Sequence, residues 1–322
     1  MCATDNYAMH IFHPAVRLVQ KVTSCFVAYA PYYSWIFVMC TNMYASSTAI
    51  RKQGSEVMHI VVCIKQVPDT HEVKLDPVHN TLMREGVEAI VNPFDMYAIE
   101  EAIRLREKLG GTVTAITMGP PQAENALREA ISMGVDKGIL VSDIGFAGSD
   151  TWATSYTLAQ AIRKLDEPPG IILFGKQAAD GDTAQVGPGV AAQLDLPQIT
   201  YVRKIEEISE TQIVAERLLE TGYEVIESSM PCILSVVKEI NEPRLPSLKG
   251  KMAARKAEIA KWSAADIEAE HGSIGLHGSP TKVVKVFTPP PRAGGQVLTG
   301  EPHEIVKELV TKLKDVLVEC AS

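Results

Sequence analysis

Residues 175–194, GKQAADGDTAQVGPGVAAQL, combine glycines, short polar side chains and the start of an apolar helical pattern. Gly175 and Gly181 permit a positive φ or a close approach of backbone to ligand. Thr183 is placed to cap the following helix, whose first N–H groups would then face a phosphate. The chemistry this supports is the cradling of an anion rather than the making of a bond. The loop is not of the GxxxxGKS/T type, because Lys176 stands before the turn instead of after it, and it is not GxGxxG. Taken alone, a glycine-bearing strand-to-helix loop serves structure as readily as binding.

A second unusual stretch is VNPFDMYAIEEA, residues 91–102. Asn92-Pro93 is a turn signal and Asp95 reads as a helix cap. Asn92 is left without a structural role and is free to bond a base or ribose. Glu100 and Glu101 read as a solvated helix face. His59, His71, His79, His271, His277 and His303 are scattered in turns and read as solvated groups. No GxSxG and no nucleophile–base pair is evident. Cys2, Cys25, Cys40, Cys63, Cys232 and Cys320 form no CxxC pair, so no disulfide framework, zinc site or iron–sulfur site is expected. A nucleotide cradle without a catalytic side chain suits a protein whose cofactor carries the chemistry.

The elements that position these loops alternate from Met58 onward. Met58–Ile64, Thr112–Met118, Gly138–Val141 and Ile171–Phe174 are short apolar runs that read as buried strands. Between them lie amphipathic helices: one opened by Asp95 and stopped by Gly110 and Gly111, one over Gln122–Met133, and one capped by Asp150. Buried strands separated by helices predict a doubly wound α/β fold with a mostly parallel sheet. In such a sheet, ligands sit beyond the carboxyl ends of the strands, which selects the loops at Cys63–Gln66, Met118–Pro120 and 175–194. Residues 201–225 alternate apolar and polar positions and predict a small antiparallel addition. A strand over Pro231–Val237 follows, then a proline-punctuated loop leading to a basic helix. Gly272–Gly300 reads as an extended arm and Pro302–Leu317 as a terminal helix.

Net charge is −8 over 322 residues, which argues against nucleic acid as a partner. Hydrophobic content of 46% is enough for a sizeable core and is ordinary for a globular protein. Residues 1–57 differ in texture: no charge occurs from Val22 to Ile50, but Pro31 and many Ser, Thr and Tyr residues argue against a membrane span. The expected organisation is a non-native or disordered extension over 1–57, a nucleotide-binding domain over 58–245, and a partner-recognition loop, arm and helix over 246–322. A membrane anchor or targeting segment is the alternative for 1–57. No membrane partner is expected, and a reducing cytoplasm is the simplest location.

Five blocks, VVCIKQVPDT, VNPFDMYAIEEA, TMGPP, GKQAADGDTAQVGP and NEPRLPSLKGKMAARKAEI, occur in an order that resembles the beta subunit of electron transfer flavoproteins. The resemblance runs from Met58 to the C-terminus. It implies one nucleotide bound in the α/β domain, lined by Cys63, by Asn92, Pro93, Phe94 and Asp95, by Met118, and by Gly175, Gln177, Ala178, Asp180, Gly181, Asp182, Thr183, Ala184, Gln185 and Val186. Gly181–Pro188 reads GDTAQVGP, which resembles the electron-bifurcating members that hold a second FAD in this site. Members of the other type hold AMP there and resemble DDxNQT. The resemblance also implies an alpha-subunit partner, NADH as electron donor, ferredoxin or flavodoxin as low-potential acceptor, and docking of an acyl-CoA dehydrogenase-type partner through Leu248. NADH oxidation is expected only of the heterodimer. The rival readings are a non-bifurcating carrier with AMP and a nucleotide-binding regulatory module without a redox role. An ATP-cleaving ligase of similar fold would need an SGGxD-type loop, which Ile64–Pro68 does not supply.

Overall fold

The computed structural model describes residues 58–69, 74–75, 82–83, 89–284 and 297–319. The extension expected over 1–57 lies outside the described residues, as do His71 and His79. The described chain up to Val283 belongs to one compact unit, apart from Leu75. The terminal helix belongs to a second unit.

The first unit is built on a nine-stranded sheet. Its strands are β1 (His59–Cys63), β6 (Thr112–Met118), β7 (Lys137–Val141), β8 (Ile171–Gly175), β9 (Gln198–Ile208), β10 (Gln212–Leu219), β11 (Gly222–Ser229), β12 (Cys232–Val236) and β13 (Ile259–Trp262). Their order across the sheet is β11-β10-β9-β12-β8-β1-β6-β7-β13. The run from β9 to β13 is parallel, and β10 and β11 add antiparallel strands at one edge. Short strands β2 (Gln66–Pro68) and β5 (Ala89–Val91) pair antiparallel beside it. The two-residue strands β3 (Lys74–Leu75) and β4 (Leu82–Met83) lie between them in the chain.

The helices are α1 (Pro93–Leu109), α2 (Glu124–Met133), α3 (Thr151–Arg163), α4 (Val186–Leu194), α5 (Leu248–Lys256) and, in the second unit, α6 (Pro302–Glu319). Two cores cover the two faces of the sheet. One packs Ile60, Val62 and Ala115 against Ile99 and Ile103 of α1 and Leu127 of α2. The other packs Val61, Cys63 and Ile116 against Leu158 and Ile162 of α3 and Val190 of α4. The alternation follows from strand geometry, since successive side chains point to opposite faces. The chain passes outward from β1 through β6 to β7, then crosses back to place β8 on the other side of β1. The strand order therefore reverses between β1 and β8, which opens a crevice at their carboxyl ends.

The doubly wound fold, the parallel sheet and the antiparallel addition are as the sequence predicts. Ile259–Trp262 is a correction: it is a parallel edge strand on β7 rather than a continuation of the basic helix. His59 is a second correction. It is buried, its Nε2 lies 2.9 Å from Oγ1 of Thr114 and its Nδ1 2.8 Å from the Glu167 carbonyl. Within the expected arm, Gly275–Gly278 forms a single helical turn, and residues 285–296 lie outside the described residues. Helix α6 carries an exposed stripe of Val306, Leu309, Val310 and Leu313 at helical spacing. Among the described residues no helix is long and apolar enough to cross a membrane.

Candidate functional site

A cavity of about 480 Å³ lies at the carboxyl ends of β1 and β8. Its walls come from the end of β1 and the loop after it, the start of α1, the start of α3 and the long segment from β8 into α4, with Met118 at the end of β6, Ser235 of β12 and Thr281 completing them. Of the residues expected from the sequence, Cys63, Asn92, Asp95, Met118, Gly175, Gln177, Ala178, Gly181, Thr183, Ala184, Gln185 and Val186 line it. Pro93, Phe94, Asp180 and Asp182 do not line it, though the last three contact residues that do, Lys176, Lys65 and Gln177 respectively.

Asp95 is the junction of the site. It is not the helix cap that its position suggested: Asn92 is the N-cap residue and Asp95 lies in the first turn of α1. The backbone N–H of Lys65 donates to its Oδ2 at 2.7 Å, and Gly175 packs directly against its carboxyl group. One side chain thus ties the ends of β1 and β8 to α1. Burial pushes its carboxyl up to about 7, against the opposing hydrogen bonds from Asn92, Lys65 and Gly175.

Asn92 is 1% exposed and its amide is engaged at both its nitrogen and its oxygen. Its Nδ2 donates to the Gln177 carbonyl at 2.8 Å, and its Oδ1 accepts from the Ala179 N–H at 2.9 Å. The amide thereby fixes the 175–184 loop. Lys65 adds an ion pair to Asp180 at 2.6 Å across the same loop. Asp182 accepts from the side chain of Gln177. Phe94 lies under Lys176, whose ammonium is 5.9 Å from the Phe94 ring centre and 5.3 Å from that of Tyr201. Phe94 thereby steers a cation that lines the cavity.

Two non-glycine residues of the loop, Asp182 at φ 52° and Ala184 at φ 54°, are left-handed. Such conformations cost energy, and local geometry of this kind clusters at binding sites. Thr183 does not cap α4: Gln185 is the N-cap residue, and no side chain caps that helix. The leading backbone of α4, Val186 and Gly187, lines the cavity and leaves N–H groups available to an anion. Burial pushes the Cys63 thiol well above its usual range, so it contributes an apolar wall rather than a thiolate. Among the described residues no group of side chains could hold a metal ion.

Sequence reasoning missed part of the wall. Ser149, Asp150, Thr151, Lys176, Ser235 and Thr281 also line the cavity. Asp150 was recognised only as a cap, which it is, accepting from the N–H groups of Trp152 at 2.9 Å and Ala153 at 3.1 Å. Thr281 lies far along the chain in a Gly/Pro/Ser-rich run and gives no sequence signal.

A second surface is held by the same helix α1. Glu100 is 2% exposed and Glu101 is buried, which corrects their reading as a solvated face. Arg244 pairs with Glu100 at 2.8 Å and with Glu107 at 2.6 Å. Burial works against ionisation of Glu100, but Arg244 and Arg104 outweigh it and hold the carboxyl below the usual range. Asn241 donates to the Tyr97 carbonyl and to Glu101 Oε2. The chain fastened in this way leads straight to Leu245, 91% exposed, and Leu248, 77% exposed, with Met252 also exposed on α5.

The family model for the electron transfer flavoprotein domain matches residues 80–267. Electron transfer flavoprotein subunit beta of Thermoanaerobacterium thermosaccharolyticum is 53% identical over 257 residues, covering 80% of this chain and 98% of that protein. Protein FixA of Azotobacter vinelandii is 51% identical, covering 73% of this chain and 86% of its own length. The caffeyl-CoA reductase–Etf complex subunit CarD of Acetobacterium woodii is 47% identical, covering 80% and 98%.

Proposed function

The chain belongs to the electron transfer flavoprotein family, on the side of its beta subunits, and from that membership we propose that it is an electron-bifurcating carrier holding FAD in the cavity between β1 and β8. It works as a heterodimer with an alpha subunit. NADH is the electron donor, one electron goes by way of the alpha-subunit flavin to an acyl-CoA dehydrogenase-type partner, and the other goes to ferredoxin or flavodoxin. The reading places the complex in the cytoplasm. It extends to this chain the kind of assembly that the name of the CarD relative describes, a reductase joined to an Etf complex.

The observation that carries the reading is the character of the Gly181–Pro188 wall. Apart from Gln185, the residues of this wall that line the cavity are small or apolar, Thr183, Ala184, Val186, Gly187 and Pro188, and an added Cβ at Gly181 would meet nothing within 4 Å. The residues present fit a nucleotide. The cavity falls within the usual range for such ligands, roughly 300–1,000 Å³. Lys65 and Lys176 supply positive charge, the uncapped start of α4 supplies N–H donors for a pyrophosphate, and Thr151, Thr154 and Ser235 supply hydroxyls. Flavin, when bound, supplies the ability to take up a hydride and pass on single electrons. The chain's own work is to hold the cofactor, keep water from it and set the charge around it. Asp95 and Asn92 do this by locking three loops into one wall.

The heterodimer provides the test. Two FAD per dimer, with NADH-driven reduction of a low-potential acceptor, is the expected result. One FAD plus one AMP overturns bifurcation and leaves a non-bifurcating carrier.

Leu245 and Leu248 are proposed to dock the dehydrogenase-type partner. An exposed aliphatic anchor on a rigid mount is a suitable hot spot, and Leu248→Ala is expected to cost about 1–3 kcal/mol of docking. Electron delivery to the dehydrogenase should slow while NADH reduction of the flavin continues. Equal loss of both steps would point to a folding defect instead.

A further inference from the structure

Asp150 has two carboxylate oxygens with different employers. Oδ1 caps α3. Oδ2 accepts from both the backbone N–H of Thr281 at 2.9 Å and its hydroxyl at 2.8 Å. The backbone N–H of Asp150 in turn donates to Oγ of Ser279 at 2.8 Å, and that hydroxyl donates to the Gly275 carbonyl at 2.6 Å. Gly275 is itself tied down, since its N–H donates to Oγ of Ser149 at 3.1 Å. Residues 149–150 and 275–281, about 130 positions apart, are therefore joined by four hydrogen bonds, and a fifth braces the helical turn itself. Ser149, Asp150 and Thr281 all line the cavity.

Burial opposes the charge on Asp150, but the Thr281 hydroxyl and the amides around it outweigh burial and keep its carboxyl below the usual range. It is thus an ionised acceptor at neutral pH, and hydrogen bonds to a charged group are among the stronger ones. The family model ends at residue 267, so this segment lies beyond the part of the chain that the family match covers.

We propose that Ser279–Thr281 is a latch, fastened by Asp150 at the wall of the nucleotide cavity, that slows release of the bound nucleotide. The latch rests on the reading of this cavity as a nucleotide site. Ser279 and Thr281 act as positioning residues: they hold a wall against the ligand and take no part in electron transfer. A consequence is that the carboxylate that fastens residues 279–281 also stands in the cavity wall, so occupancy of the cavity and order of these residues rise and fall together.

The test uses the full chain in its heterodimer, loaded with FAD, and follows the rise in flavin fluorescence on release after dilution. The double variant Ser279→Ala with Thr281→Val removes both hydroxyls and leaves the α3 cap intact. It should release one FAD about tenfold faster, the loss expected for hydrogen bonds of this kind, with a melting temperature of the FAD-free protein close to the parent's. Thr281→Ser keeps the hydroxyl and should release FAD at the parent's rate. Trypsin cleavage after the exposed Lys282 should be slowed by saturating FAD in the parent and not in the double variant. Release at the parent's rate in the double variant overturns the latch, and so does a lowered melting temperature with unchanged release. A parent heterodimer that holds a nucleotide only in its alpha subunit overturns the site reading itself, and the latch with it.

Discussion

Gly175→Ala is expected to destabilise the protein by about 3 kcal/mol or more, the scale of a severe steric insertion into a packed site. A Cβ at this position would stand 2.3 Å from Oδ1 of Asp95, 2.6 Å from the Phe94 carbonyl carbon and 2.8 Å from the Asp95 N. Two of these are backbone atoms, and the third ends a buried side chain held by the Lys65 N–H. The end of β8 and the start of α1 would have to separate, and the hydrogen bonds that Asp95 and Asn92 make across that junction would go with them. A lower urea midpoint and loss of bound nucleotide together are the expected outcome. Gly181→Ala is the control in the same loop: a Cβ there meets nothing within 4 Å, so its midpoint should match the parent's. An unchanged midpoint for Gly175→Ala would mean that this junction is not close-packed.

Ala184→Asp should abolish nucleotide binding in this chain while leaving it folded. Ala184 already sits at φ 54°, a left-handed conformation that aspartate tolerates better than alanine, so the backbone does not oppose the change. What opposes binding is a carboxylate placed in the cavity wall beside the start of α4, where a phosphate is expected. Charge repulsion and lost volume act in the same direction. In the heterodimer, FAD content should fall from two to one, with affinity at this site reduced on the order of a hundredfold, the size of a few kcal/mol of repulsion. Reduction of a low-potential acceptor by NADH should vanish. Ala184→Asn brings similar bulk without the charge and should bind better than the aspartate variant. Two flavins retained in Ala184→Asp would show that no phosphate lies at this helix start.

The fold was legible because its signals are local. Apolar runs such as Thr112–Met118 match the observed strand end for end, and Gly110 stops its helix as expected. Ile259–Trp262 was not legible, because four residues with a basic flank and two half-exposed positions carry too little pattern to separate an edge strand from a helix end. The site was legible where it follows strand ends, as at Cys63, Met118 and Gly175. It was not legible where one side chain serves two distant segments. Nothing local shows that Asn92 spends its amide on residues 177–179, or that Glu100 is buried by an arginine 144 positions away. Partnership across the fold, and not residue type, decides whether such groups are ligands, struts or solvated charges.

Helix α1 holds the nucleotide cavity at its first turn through Asp95 and the docking chain further along through Glu100 and Glu107. At a rise of about 1.5 Å per residue, Asp95 and Glu107 are separated by about 18 Å along the axis. On the proposed function, the helix is a ruler between the cofactor and the place where a partner docks. Inserting one residue into it would lengthen that span by about 1.5 Å and turn the two ends by about 100° relative to each other, since 3.6 residues make a turn. Substitutions on its exposed side leave the gauge unchanged, whereas a change in its length resets both distance and bearing at once.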